Sequence, residues 1–373
     1  RGRGRVPHRA LAGLIAAVAA FAAPTAADTP FRVAMFHTEL ARDGPGLLLR
    51  VILSADDPLV MAVARVLTHV DADILVLAGI DYDHRGLALG ALADLLPDYP
   101  HRFARLPNRG RATGRDLDGD GRLGEPGDAM GYGPFAGAEG LAILSRFPLL
   151  PGALIDRTDM PWPALKGGVP PEGTQYLSTT GHWRVPVMIP GAGRVDLVTW
   201  HATPPVFDGP EDRNGRRNRD EALLALQMVE ADPHPVIVAG FANLDVQDGD
   251  GRPDALQRLL THPRLTEPRP ASAGGREAAG IDGGVNASHR GNPALDTVDW
   301  PDEPGRPGNL RVDYLLPDRR FAVSASGVLW PAGGGSLGGD VRRASRHRVV
   351  WVDLVPDGIS DRSEGVGHPK AGQ

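Results

Sequence analysis

A chain of 373 residues, 42% hydrophobic, carries enough apolar mass for one large α/β domain or two ordinary ones. It has no cysteine, which excludes a disulfide framework and any thiolate metal site. Its formal net charge of −6 argues against non-specific nucleic-acid binding.

The first segment reads as a secretory signal. Arg1, Arg3, Arg5 and Arg9 precede an apolar run of 14 residues, Ala10–Ala23, which is too short to span a bilayer. Thr25, Ala26 and Ala27 then supply small residues before Asp28, as a cleavage site requires. The expected organisation is a signal peptide over residues 1–27, one domain over 28–356 and a disordered polar tail over 357–373. The expected location is periplasmic or extracellular, with no membrane span. Cleavage would remove four arginines and no acid, taking the net charge to −10.

Strands and helices alternate irregularly after that. Phe31–His37 reads as a strand, and Asp57–Val70 as a helix with Pro58 in its first turn and apolar residues on one face. Ala72–Ile80 is a continuous apolar run, typical of a strand covered on both faces. Leu141–Phe147, Arg194–His201, Pro235–Gly240, Leu310–Leu316 and Arg348–Leu354 add strands, and a second helix is expected from Asn218 to Ala231. His182 and Trp183 fall between these strands and are expected to pack. Pro263–Gly308 has no sustained period and reads as a long surface loop. This pattern predicts an α/β fold with two packed mixed sheets and helices outside them.

One loop carries its own signal. In Asp116–Asp128, Asp116, Asp118 and Asp120 alternate and Gly121 permits a sharp turn, as in the first half of a calcium loop. The twelfth place is Gly127, so Glu125 or Asp128 would have to close the site. Asp248 and Asp250 repeat the DGDGR string and read as a turn. The chain has no nucleophile elbow, P-loop, zinc helix or dinucleotide fingerprint.

A family likeness then emerges in eight ordered segments: FRVAMFHTELARDGPG, ADILVLAGIDYD, DLDGDGRLGEPGDAMGYG, GLAILSRFP, WHATPPVFDGPEDRNGRRN, VIVAGFANLD, GNLRVDYLLP and ASRHRVVWVDL. In these the chain resembles the endonuclease/exonuclease/phosphatase superfamily, and most closely its exported bacterial members. The resemblance implies a four-layer sandwich of two sheets flanked by helices. It also implies phosphate-ester hydrolysis with a divalent ion, usually magnesium, held by hard oxygen ligands. An Asp–His pair at the last strand handles the attacking water in such proteins.

The resemblance carries over unevenly. His201, Asn243, Asp313 and His347 stand where the family keeps catalytic and phosphate-cradling residues. His37 replaces an Asn, Gly79 a metal-binding Glu, Phe241 the Asp of Gly-Asp-x-Asn, and Arg346 the Asp before the final His. The acid replacements make the pocket formally four units more positive, and His347 is expected to lack an orienting carboxylate. Restoring Glu and two Asp at Gly79, Phe241 and Arg346 should recreate magnesium binding.

Three readings stay open. One is an impaired enzyme that binds a phosphate-containing or other anionic small molecule through His37, Arg346 and Arg217, with further arginines at 213, 216, 219, 342, 343 and 348. The second keeps catalysis with zinc on His37, His201 and His347. The third shifts the missing acid to Asp81 or Asp245.

Overall fold

The computed structural model describes residues 2, 29–171 and 176–356. The expected signal peptide, but for Gly2, and the expected tail lie outside the described residues.

Two sheets form the centre. The first has the order β10 (Phe321–Leu329), β11 (Val349–Pro356), β1 (Phe31–His37), β2 (Ile74–Ile80), β4 (Gly140–Ser145) and β3 (His101–Ala104). The second runs β5 (Ile155–Asp156), β6 (His182–Ile189), β7 (Gly193–His201), β8 (Val236–Phe241) and β9 (Asp313–Pro317). Both are mixed: β1–β2 and β7–β8 pair in parallel, and the other neighbours are antiparallel.

Side-chain parity assigns the layers. Val33 and Met35 of β1, Val195 and Leu197 of β7, Ile237 and Ala239 of β8 and Leu315 of β9 meet in one core between the sheets. The alternate residues of the first sheet face outward onto α1 (Leu47–Ser54), α2 (Pro58–Val70), α3 (Leu87–Ala93) and α7 (Ser336–Ala344). Those of the second sheet face α4 (Arg213–Glu230) and α5 (Asp254–Leu260). The result is the four-layer sandwich expected. Continuing each strand's parity turns His37, His201, Phe241 and Asp313 inward, at one end of the central core.

Local chemistry sets the elements. Asp57 caps α2 by accepting hydrogen bonds from Leu59 N and Val60 N at 2.9 Å, worth roughly 1 kcal/mol. Asn218 in α4 donates from Nδ2 to Thr203 O and Ala242 O, both at 2.7 Å, and so clamps the segments leaving β7 and β8.

Several expectations need correction. Helix α4 starts at Arg213 rather than Asn218. His182 and Trp183 open strand β6 instead of lying between strands. Pro186 hid that strand. Beside Pro186 runs Leu150, whose N donates to Pro186 O and whose own carbonyl accepts from Ala153 N, so the missing N–H leaves no acceptor unpaired. Pro263–Gly308 contains α6 (Ala273–Asp282), and its stretch Ala294–Val298 is buried rather than a surface loop. Val298 bridges both Leu310 and His347.

Gly240 is required by packing. A Cβ there would run into the six-membered ring of Trp200, which covers it on the outer face of the second sheet. Gly240→Ala should cost about 1–3 kcal/mol in a chemical denaturation series, from overpacking without any change in charge.

Candidate functional site

Strand register brings the site together. His201 pairs with Phe241, and Phe241 with Asp313, so the three stand in a row across β7, β8 and β9. His37 comes from the facing sheet. His347 arrives on the segment before β11. The His37 ring lies 4.9 Å from that of His201, edge to face, and stacks on His347 at 4.5 Å. Trp300 stands edge-on to His347 at 5.8 Å.

His347 does have a carboxylate. Its Nδ1 meets Asp313 Oδ2 at 2.8 Å, and both side chains are buried. The expectation that Arg346 leaves this imidazole without an orienting acid is therefore overturned, because β9 supplies one across the fold. Thr297 Oγ1 accepts from Asp313 N at 3.1 Å and fixes the acid. Ser345 Oγ accepts from His347 N at 3.0 Å and donates to His37 O at 2.8 Å. Asn243, at φ 51°, donates from Nδ2 to Ala202 O at 2.7 Å.

Gly79 is more than a lost Glu. It occupies a bulge between β2 and β4 at φ 69°, and a Cβ would come 2.6 Å from His37 Cε1. The His37 ring fills the space that a side chain at 79 would need. Restoring acids at 79, 241 and 346 alone cannot rebuild a metal site, because position 37 must shrink as well.

Carboxylates are present nearby, but each is engaged. Glu39 accepts from Arg346 N and Nε, both at 2.8 Å. Burial would raise its pKa, but these bonds outweigh it and hold the group down at about 2. Glu139 forms an ion pair with Arg109. Burial pushes His37 well below the usual imidazole value, helped by repulsion from His347, Arg109 and Arg346. His201 is lowered by burial, His37 and Arg109. Both rings are neutral at pH 7. His37 Nδ1, His201 Nδ1, Asp313 Oδ1 and Arg109 Nε are buried without a protein partner, which marks a place for ligand or water.

The family model of the Endonuclease/Exonuclease/phosphatase family matches residues 53–347. The chain belongs to the endonuclease/exonuclease/phosphatase family. Among solved structures it is similar to an endonuclease/exonuclease/phosphatase from Beutenbergia cavernae, with 20% identity, 88% of this chain and 72% of that one covered, and a TM-score of 0.52. A family protein from Bacteroides thetaiotaomicron shows 14% identity, 88% and 98% coverage and a TM-score of 0.48. Truncated Caenorhabditis elegans TDP2 shows 15% identity, 87% and 97% coverage and a TM-score of 0.44. No curated protein matches.

The family is divalent-metal dependent, and magnesium demands oxygen ligands in near-octahedral array. The residues here do not fit that ion. Phe241 and Gly79 offer no oxygen side chain, and Glu39, Glu139 and Asp313 are taken by Arg346, Arg109 and His347. Asp81 and Asp245 do not fill the gap. Asp81 accepts from Arg42 N and Glu139 N, and Asp245 from Gln247 N and Arg311 N. The stacked His37 and His347 rings, 19° apart, turn faces rather than lone pairs to each other, so zinc would require one ring to rotate.

Arg217 is not brought to the cluster. It is buried on α4, 5.0 Å over the Trp162 ring, and interacts with Glu221. Arg219 pairs with Asp254 and Asp220, and Arg348 with Asp299. Asp116, Asp118 and Asp120 do gather, with carboxylate oxygens within 4.8 Å of one another, and such an acidic cluster can hold a metal. Of the expected closing acids, Glu125 lies against Asp120 while also pairing with Arg122, and Asp128 turns away to accept from Leu117 N and Gly124 N.

Sequence reading missed Glu39, Arg109, Glu139 and Trp300. Glu39 lies beyond the end of β1 with a left-handed backbone, φ 50°, so the strand period does not reach it. The others reach the site from loops, where no period exists.

Gly79→Glu should destabilise the fold by about 1–3 kcal/mol, and His37→Asn should recover part of that loss. A double-mutant cycle on denaturation midpoints measures the coupling, and additive effects would show that the ring does not fill this space.

Proposed function

We propose that this family member binds the phosphate group of an anionic small molecule at the His37–His201–His347 cluster and has lost magnesium-dependent hydrolysis. The observation that carries this reading is that Glu39 and Glu139, the acids beside the cluster, are paired with Arg346 and Arg109, while Asp313 is bonded through Oδ2 to His347. Arg109 Nε and the unpartnered nitrogens of His37 and His201 remain to meet phosphate oxygens. Export through residues 1–27 belongs to the same proposal and rests on their pattern alone.

The electrostatics give the binding a pH signature. The two Arg–Glu pairs cancel, so an arriving anion meets neutral imidazoles. Its charge raises their pKa and they take up protons. Binding of inorganic phosphate should therefore tighten by up to roughly tenfold per unit as pH falls, as required when one proton enters with the ligand. Isothermal calorimetry at several pH values measures this, and pH-independent affinity would overturn it. Hydrolysis of phosphomonoester and phosphodiester substrates should show no magnesium stimulation. Magnesium-dependent turnover abolished by His347→Ala would mean that the site is intact.

The Asp313–His347 pair favours a second reading, in which slow hydrolysis survives without metal. An oriented imidazole can act as a general base, an effect worth roughly 100-fold or more. Turnover in chelator that Asp313→Asn removes would support it.

A structural calcium ion at Asp116, Asp118 and Asp120 remains part of the proposal, supported by their spacing and mutual approach. Chelation should lower the melting temperature, and Asp118→Asn should remove that sensitivity. A melting curve unchanged by chelator would exclude the ion.

A further inference from the structure

A second polar site lies outside the histidine cluster. The segments after β8 and α5 and the turn before β9 enclose a cavity of about 510 Å³. That volume lies within the range of small-molecule pockets, roughly 300–1,000 Å³. Asp296 lines it with only 7% of its surface exposed. Among the described residues no hydrogen bond or ion pair reaches this carboxyl. Acids so deeply buried are ordinarily paired.

The neighbouring charges make the missing partner plain. Asp245 and Asp248 bear on Asp296, and both are acids. Two of the three arginines in the wall are engaged. Arg311 is held by Glu267 and stacks 4.6 Å from the Tyr314 ring, and Arg290 donates to Gln247 O at 3.0 Å. Arg269 also lines the cavity. Burial, reinforced by Asp245 and Asp248, pushes the Asp296 carboxyl up to about 8. A cation would relieve this arrangement.

The kind of cation follows from the spacing. Among the described residues, Asp245, Asp248 and Asp296 do not bring their carboxylate oxygens within 4.8 Å of one another, so they do not close round a bare metal ion. An ammonium group needs one carboxylate and neutral acceptors, and the Gln247 and Gln257 amides line the same cavity. We propose that this cavity is a second binding site, for a small molecule carrying a protonated primary amine, with Asp296 as its counter-ion.

Calorimetry on the full chain tests this with ethanolamine and glucosamine as probes, ethylene glycol and glucose as uncharged analogues, and calcium alone. Ionisation of Asp296 must accompany amine binding, so the affinity for ethanolamine, which stays protonated across this range, should rise between pH 6 and pH 8 by on the order of 50-fold, and that for the less basic glucosamine by less. Asp296→Asn should abolish amine binding and leave phosphate binding at the histidine cluster unchanged. That substitution removes a buried unpaired acid, so the variant should melt no lower than the parent at pH 8. Binding of an amine but not its uncharged analogue, lost in Asp296→Asn, supports the site. No amine binding, binding that survives Asp296→Asn, or calcium binding that depends on Asp296 would overturn it.

Discussion

The hydrogen bond between His347 Nδ1 and Asp313 Oδ2 is the contact on which the site depends. It joins the segment before β11, in one sheet, to the start of β9 in the other. With both partners buried it is weakly screened by solvent, and it fixes the imidazole plane. The His37 ring stacks on that plane, and His201 meets His37 edge-on. The geometry of three histidines thus follows from one acid whose backbone Thr297 holds.

Around this contact the charges balance in pairs. Gly79, Phe241 and Arg346 do not leave a strongly positive cleft, because Arg346 turns onto Glu39. Changes at neighbouring positions compensate sterically as well. Gly79 in its bulge and the large ring at position 37 belong together, since any side chain at 79 would run into that ring. Positions 37 and 79 are sterically coupled.

Buried polar groups elsewhere serve the scaffold. His182 is fully enclosed against the Trp200 ring, and burial lowers its pKa to about 3, so it packs as a neutral ring. Glu221 accepts from Thr179 N and Thr203 N, and burial raises its pKa to about 7. It braces α4 against the segment that follows His201.

Much of the fold was legible in the chain itself. Apolar runs such as ILVLAGI and VIVAGF can only be strands covered on both faces, and the order of such strands carried the family likeness. The family resemblance placed His37, His201, Phe241 and Asp313 together at one edge of the sheets. What decided their chemistry was tertiary. Asp313 meets His347 across 34 residues, and Glu39 meets Arg346 across 307, so no local pattern announces either pair. Local periodicity records which face a residue presents; only the packing of the two sheets determines which charge it finds there.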